Sequence, residues 1–307
     1  MNRIFAETYW NTVFNHCATY DVSFIDEIQQ HAMENSLGET PNRKEIQNTI
    51  RKMKCDKAPG ATQLTTEMLK NLPNDALHFI IKTIQEIWQH ETDFKEGMKS
   101  KLNILYKGKC DQQDFNNYRG ICLKESCTKT ISIIASNRLL CHLKTFGSKT
   151  QFGMVGYQEA QHMLKKALHL RHHHGLEIYA IDLIKAFDTV QHPLLFGILS
   201  SYSVPEPQIK VVKKMYKDCS VSYKLDSDTI NIPYKTGVQQ GDNASPVLFV
   251  YIMQVFLDTV KTHIKTSKFR YFKSLKNGNL KALNRCLIGQ PTASKGTPYE
   301  FNNVFCS

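Results

Sequence analysis

Residues Tyr179 to Val190 read YAIDLIKAFDTV, and this stretch constrains the fold more than any other in the chain. Its first residues are β-branched and aromatic, the composition of a buried strand. Asp182 lies inside that run, where an unpaired carboxylate costs on the order of several kcal/mol. Such a group is normally protonated, paired or bound to a cation. Lys185, Phe187 and Asp188 follow at short, fixed offsets. A strand that delivers a carboxylate and then an aromatic ring suits a divalent cation beside a nucleotide. Taken alone, Asp182 is better explained as a strand-end residue capping a turn. A second segment, TGVQQGDNASPVLF from Thr236 to Phe249, shifts the balance toward a site.

Charge points the same way. The net charge is +11, and it is uneven along the chain. Residues 1–50 carry three Lys/Arg against seven Asp/Glu, and residues 51–150 carry seventeen against ten. Residues 151–260 are balanced at ten against ten, and residues 261–307 carry nine against one. Two basic zones thus flank a neutral middle holding both segments, the distribution expected of a polyanion-binding cleft with a metal centre. Simple solubility is the plainer explanation of the charge taken by itself.

At 307 residues and 41% hydrophobic content, the chain can bury one or two substantial cores. No apolar run is expected to span a membrane, and Glu7 and Asn11 interrupt any secretory h-region, so an intracellular protein is expected. The nine cysteines are scattered without a C-x-x-C pair and read as reduced, mostly buried small hydrophobes. His172 to His174 read as a solvated helix end before Gly175 rather than a metal site.

Periodicity places the elements. A helix starts at Thr40-Pro41, turns Ile46, Ile50 and Met53 inward, and ends at Lys57–Gly60. A long amphipathic helix from Asn74 buries Leu77, Ile80, Ile81, Ile84, Ile87 and Trp88. Strands are expected at Leu102–Tyr106 and Tyr118–Ile121, then helices over about 125–143 and 157–171. His192-Pro193 starts another helix, Val204 to Pro207 breaks it, and a basic helix runs on to Tyr216. Val221–Leu225 and Ile230–Lys235 form a hairpin, and Ser245-Pro246 caps an apolar helix reaching about Thr262.

These motifs, in this order, resemble the reverse transcriptases of non-LTR, long-interspersed-element retrotransposons. The resemblance begins near Lys54 with KCDKAPG, continues through LNILYKGK and NNYRGICL, and peaks in AIDLIKAFDTVQHPL and GVQQGDNASPVLF. It implies an α+β fold with right-hand polymerase fingers and a partial palm, an antiparallel sheet with helices packed on one face. It divides the chain into an N-terminal helical extension (1–42), fingers (about 43–175) and an incomplete palm (176–307). It implies two-metal nucleotidyl transfer on an RNA template and DNA primer with dNTP, cations about 3.5–4 Å apart clamping the reacting oxygens.

Residue by residue, Asp182 matches the first metal-binding aspartate, and Leu183 the position whose backbone carbonyl joins the Mg²⁺ shell. Phe187 matches the aromatic under the sugar, where a large ring excludes a 2′-hydroxyl and disfavours an RNA-directed RNA polymerase. Gln240, Gly241 and Ser245, with Pro246, match the loop-to-helix segment at the incoming nucleotide. Arg119, with Lys107 or Lys109, matches the cations that neutralise the triphosphate.

Three departures accompany the resemblance. Ala61-Thr62-Gln63 stands where the family continues KAPG with Pro-Asp-Gly, and Phe152–Tyr157, FGMVGY, lacks the family's arginine. The tyrosine-x-Asp-Asp motif expected beyond TPYEFNNVF is missing: after Asp258 the sole acid is Glu300. The expectation is therefore a chain truncated before that motif, a weak Mg²⁺ site and little activity in isolation. A non-catalytic RNA- or DNA-binding remnant is the alternative. An unrelated α+β interaction protein is the remaining one.

Overall fold

The computed structural model describes residues 3–16, 25, 28, 35–89, 99–108, 110–149, 151–154, 157–174, 182–225 and 228–266. Its helices are α1 (Arg3–Phe14), α2 (Arg43–Lys52), α3 (Thr66–Lys70), α4 (Asn74–Gln89), α5 (Ser126–Phe146), α6 (Tyr157–His174), α7 (His192–Ser201), α8 (Glu206–Tyr216) and α9 (Ala244–Thr266). The strands are β1 (Lys99–Tyr106), β2 (Tyr118–Leu123), β3 (Ser220–Leu225) and β4 (Asp228–Pro233), in the order β2-β1-β3-β4.

The sheet is mixed rather than wholly antiparallel. Two antiparallel hairpins, β1–β2 and β3–β4, meet along a short parallel seam at Ser100 and Val221. Period-2 alternation sets which face is buried: Leu102 opposes Cys122 and Val221 opposes Ile232, all on one face. α1 covers that face, inserting Trp10, Val13 and Phe14. Phe14 packs on Tyr234 with ring centroids 4.6 Å apart, and its carbonyl accepts from the backbone N–H groups of Lys235 and Thr236. The first helix is thus part of the sheet's core.

The second core is helical. α5 lies at its centre, burying Ile131, Ile134, Ala135 and Leu139 against α2, α4, α8 and α9. α7 adds Leu194, Leu195 and Ile198, and α9 adds Val247, Leu248, Tyr251 and Val255. Truncating any of these aliphatic side chains to alanine costs about 2–5 kcal/mol. Arg138 ties α2 and the segment before it to this body: it donates to the Leu37 carbonyl at 2.9 Å, meets Glu45 through two N–H groups at 3.1 and 2.7 Å and lies over the Trp88 ring.

Most expected elements appear within a few residues of their expected bounds, with informative exceptions. α2 stops at Lys52, well before Lys57–Gly60, because Met53 leaves the helical conformation with φ −60° and ψ 139°. Pro207 lies in the first turn of α8, where it needs no N–H partner, rather than in the preceding break. α9 contains an 18-residue window, Ala244–Lys261, apolar and long enough to cross a membrane, contrary to expectation; half of it is buried inside this protein. Among the described cysteines, Cys55, Cys110 and Cys141 are exposed, so "mostly buried" fails for them, while Cys122 and Cys219 are core residues. Of the strand expected at Tyr179–Asp182, residues 179–181 lie outside the described residues, and Asp182 itself is exposed and outside any strand, so the buried carboxylate expected there is not found.

Candidate active site

The two segments singled out by sequence interlock. Residues 184–189 form a turn, closed by hydrogen bonds from the N–H groups of Asp188 and Thr189 to the Lys185 carbonyl at 2.9 and 3.1 Å. Lys185 has φ +50°, so strand alternation has ended before Asp188. Against this turn lies the segment from Thr236. Gly237 donates to the Val190 carbonyl at 2.7 Å, and Val238 to the Phe187 carbonyl at 2.8 Å. Gly237 has φ +91°, and a Cβ there would come within 2.9 Å of Asp188 Cα, so only glycine lets the two backbones touch. The Gly237 carbonyl accepts from His192 Nε2 at 2.8 Å, which fixes the ring's tautomer; burial holds the His192 pKa below its ordinary value.

The loop's far end is anchored in the helical body. The Gln240 carbonyl accepts from Cys122 N–H at 2.7 Å, adding a hydrogen bond at β2. Gly241, φ +99°, passes so close that a Cβ would meet the Cys122 carbonyl at 2.9 Å. Asp242 is buried and pairs with Lys124 Nζ at 2.9 Å, with Ser132 Oγ donating to its other oxygen. Ser132 Oγ also accepts the Ala244 N–H at 3.1 Å, satisfying one donor at the start of α9. Ser245 is fully buried with its hydroxyl 3.5 Å from Tyr216 Oη, so its side chain faces the core rather than solvent.

Asp188 differs from Asp242. It is half-buried, and among the described residues no cation lies within ion-pair distance of it. Gln240 Nε2 donates toward both its oxygens, at 3.3 and 3.4 Å. Desolvation raises its pKa, opposed by the Gln240 hydrogen bond and by the charges of Lys185 and Lys107. The Lys185 ammonium sits 4.9 Å over the Tyr9 ring. Tyr9 also stacks on Phe115 and donates to Asn116 Oδ1 at 3.2 Å, so α1 joins the 184–189 turn to the β1–β2 connection. Burial first, then Asp188 and Asp114, push the Tyr9 phenol up to about 12.

The remaining candidates fall around this junction. Lys107 directly follows β1, its Nζ donating to the Asn116 carbonyl at 2.6 Å. Arg119 is exposed on β2, opposite Leu105. Lys109 lies outside the described residues. Phe187 is half-buried, ring centroid 5.0 Å from Phe249, and Leu183 packs on the helical core. Asp182 is exposed where the chain enters the turn. Beyond Gly241 opens a cleft of about 790 Å³ between α2 and α5, edged by Lys44, Lys52, Lys54, Lys57 and Lys129. Its acid, Glu45, is held by Arg138.

Comparison with known proteins now decides the family. The pattern of the reverse transcriptase (RNA-dependent DNA polymerase) family matches residues 107–290. The chain belongs to the reverse transcriptase family. Its relatives place it with the non-LTR retrotransposons. It is 28% identical over 231 residues to the RNA-directed DNA polymerase from mobile element jockey of Drosophila melanogaster, covering 71% of this chain and 24% of that protein. It is 26% identical over 225 residues to the transposon TX1 uncharacterized 149 kDa protein of Xenopus laevis, covering 69% and 17%. It is 33% identical over 101 residues to the Pol polyprotein from the type-2 retrotransposable element R2DM of Drosophila melanogaster, covering 31% and 10%. The chain spans a quarter or less of the length of these relatives.

Reverse transcriptases work with a divalent cation, which tests the donors present in this domain. Asp182 offers an exposed carboxylate, a fitting hard ligand. Asp242 is committed to Lys124, and Asp188 to Gln240. Among the described residues no group of three or more His, Cys, Asp or Glu comes together. Among the described residues, the donors present suit a loosely held single cation and do not fit a two-ion site. Sequence reading of this reverse transcriptase domain missed the Asp188–Gln240 contact, the Lys124–Asp242–Ser132 cluster and Tyr9. It also missed Glu125, whose carboxylate takes the Thr62 N–H at 2.9 Å and the Thr62 hydroxyl, holding the divergent Ala61–Gln63 stretch. The absence of alternation in Lys185–Asp188 was the one available signal; the other pairs are far apart in sequence.

Proposed function

We propose that this chain is the nucleotide-selecting and template-contacting part of an RNA-directed DNA polymerase, acting inside the cell on an RNA template, a DNA primer and dNTP. The interlock of the 184–189 turn with the Thr236–Asn243 loop carries this reading: it joins the residues matching the sugar platform and the incoming-nucleotide loop through backbone hydrogen bonds and two glycines. Residues 43–175 serve as fingers and 176–307 as palm.

Within that reading, Arg119, with Lys107 or Lys109, draws the triphosphate to the β1–β2 connection, where Lys107 and Arg119 are exposed. Phe187, its ring centroid 5.0 Å from that of Phe249, forms the floor under the sugar and selects against a 2′-hydroxyl. Gln240 presents its side chain, and Gly241 its backbone, to the nucleotide; Ser245 contributes through the start of α9. Asp182 and the Leu183 carbonyl would hold Mg²⁺, which would neutralise phosphate charge and acidify the attacking hydroxyl. With Asp188 and Asp242 committed elsewhere, these 307 residues hold the ion weakly and turn over negligibly by themselves. Primer extension on an RNA template with Mg²⁺ or Mn²⁺ tests this. No extension is expected, and robust extension abolished by Asp182→Asn would show that other donors complete the site.

The lysine-edged cleft favours a second reading, RNA or DNA binding without chemistry. Electrostatic binding gives log Kd a linear dependence on log salt. Binding without that dependence, or no binding, removes this reading.

A further inference from the structure

The contact between Asp188 and Gln240 has a chemical direction. The Gln240 backbone is fixed, since its carbonyl accepts from Cys122 N–H at 2.7 Å. The Asp188 backbone is fixed as well, by the hydrogen bond to Lys185 and by the close approach of Gly237. Between two immobile backbones, the variable is the orientation of one carboxamide. An ionised carboxylate only accepts hydrogen bonds, so the group 3.3 and 3.4 Å from its two oxygens must be the NH₂ of Gln240. The carbonyl oxygen Oε1 is then turned away from Asp188. A protonated Asp188 would instead donate to Oε1, and the carboxamide would rotate by half a turn to present its NH₂.

We infer that Asp188 is a positioning residue for nucleotide binding: by accepting from Gln240 Nε2, it holds the carboxamide so that Oε1 faces the incoming deoxynucleotide as an acceptor. The inference rests on the reading of Gln240 as a nucleotide contact. It explains why a half-buried carboxylate is kept at a place with no ion-pair partner among the described residues. Asp242, two residues beyond Gln240, has its charge neutralised by Lys124 and serves the fold instead. The groups that face Asp188 are Lys185 in its own turn, Lys107 just after β1, Tyr9 on α1, Cys122 on β2 and Tyr234 after β4. The two lysines favour its ionised form; burial opposes it.

Two measurements on the full chain test the inference. The first is the side-chain ¹⁵N–¹H₂ signal of Gln240, assigned by its loss in Gln240→Glu. It should shift as pH is lowered, with a midpoint above that of an ordinary aspartate, and stay still in Asp188→Asn. A signal that does not titrate, or titrates equally in Asp188→Asn, overturns the coupling. The second is the affinity for dTTP with Mg²⁺. Asp188→Ala should weaken it by about ten-fold, on the order of one lost hydrogen bond. Asp188→Asn, which keeps an acceptor and therefore the orientation, should stay within about three-fold. An unchanged affinity in Asp188→Ala overturns the positioning role even if the NMR coupling holds. If the native chain does not bind dTTP, the nucleotide reading fails and the role with it, while the NMR titration separately decides whether Asp188 orients Gln240. Thermal melting of both variants identifies a loss of fold; for a variant that unfolds, the Gln240 titration of the native chain decides, and a signal that does not move with pH overturns the coupling.

Discussion

The two ends of the Thr236–Asn243 loop solve one problem in opposite ways. At its far end, Asp242 is buried with a cation, a hydroxyl and a helix start around it. At its near end, Asp188 is half-buried with a neutral carboxamide and two lysines at longer range. A buried carboxylate that is fully paired is a fastener, and stranding it by loss of its partner destabilises the fold. One that is underpaired carries a raised pKa and remains able to change state. The difference marks which end of the loop belongs to the scaffold and which to the site.

The sharpest way to break the comparison is Lys124→Met, which strands the Asp242 charge. It should cost about 3–5 kcal/mol of unfolding free energy in urea. Adding Asp242→Leu should recover most of that loss, because the stranded charge is gone. If Lys124→Met were neutral, Asp242 would be no more structural than Asp188.

Gly241→Ala and Gly237→Ala come next. Each places a Cβ against a backbone atom 2.9 Å away at a positive φ, for about 1–3 kcal/mol apiece. Gly237→Ala should also displace the Asp188 turn and weaken dTTP binding, whereas Gly241→Ala should disturb the β2 contact.

A pH effect of at most about 1.4 kcal/mol per pH unit follows from His192. Its folded pKa is depressed by burial, so its contribution is complete above the unfolded value of 6.5 and is lost as pH falls from there through the folded pKa. His192→Gln, which can still donate to the Gly237 carbonyl, should flatten that part of the stability–pH curve.

The smallest effect is expected at Asp188. Its folded pKa is raised, so its contribution is complete below the unfolded pKa and is lost as pH rises through the folded value. Asp188→Asn should therefore melt higher than the native chain at neutral pH, with the gap closing as the pH approaches that of an unfolded aspartate. An equal gap at all pH values would show that burial does not set the Asp188 charge.

Local patterns made much of the fold legible. The apolar stripe of α4, the β3–β4 hairpin and the proline in the first turn of α7 are each determined by residues a few positions apart. The family was legible because its motifs are short and ordered. What could not be read were pairings across long separations. The parallel seam between β1 and β3 joins residues more than a hundred positions apart, and so does the Lys124–Asp242 pair. α1 carries no chemical motif, yet Tyr9 spans from the β1–β2 connection to Lys185. In the candidate site, sequence pointed to Phe187 and Gln240, which the fold places on the interlocked turn and loop, but not to the contact of Asp188 with Gln240, which the turn at Lys185 brings about.

The measurement that tests the central claim most directly is nucleotide-dependent binding of a chain-terminated hybrid. A DNA primer ending in a dideoxynucleotide, annealed to an RNA template, is titrated with the chain in Mg²⁺ while fluorescence anisotropy is recorded. The account predicts tighter hybrid binding with the dNTP complementary to the next template base than with a mismatched dNTP or the matching rNTP, by reciprocal coupling between the two ligands. Hybrid affinity indifferent to the identity of the nucleotide would contradict it.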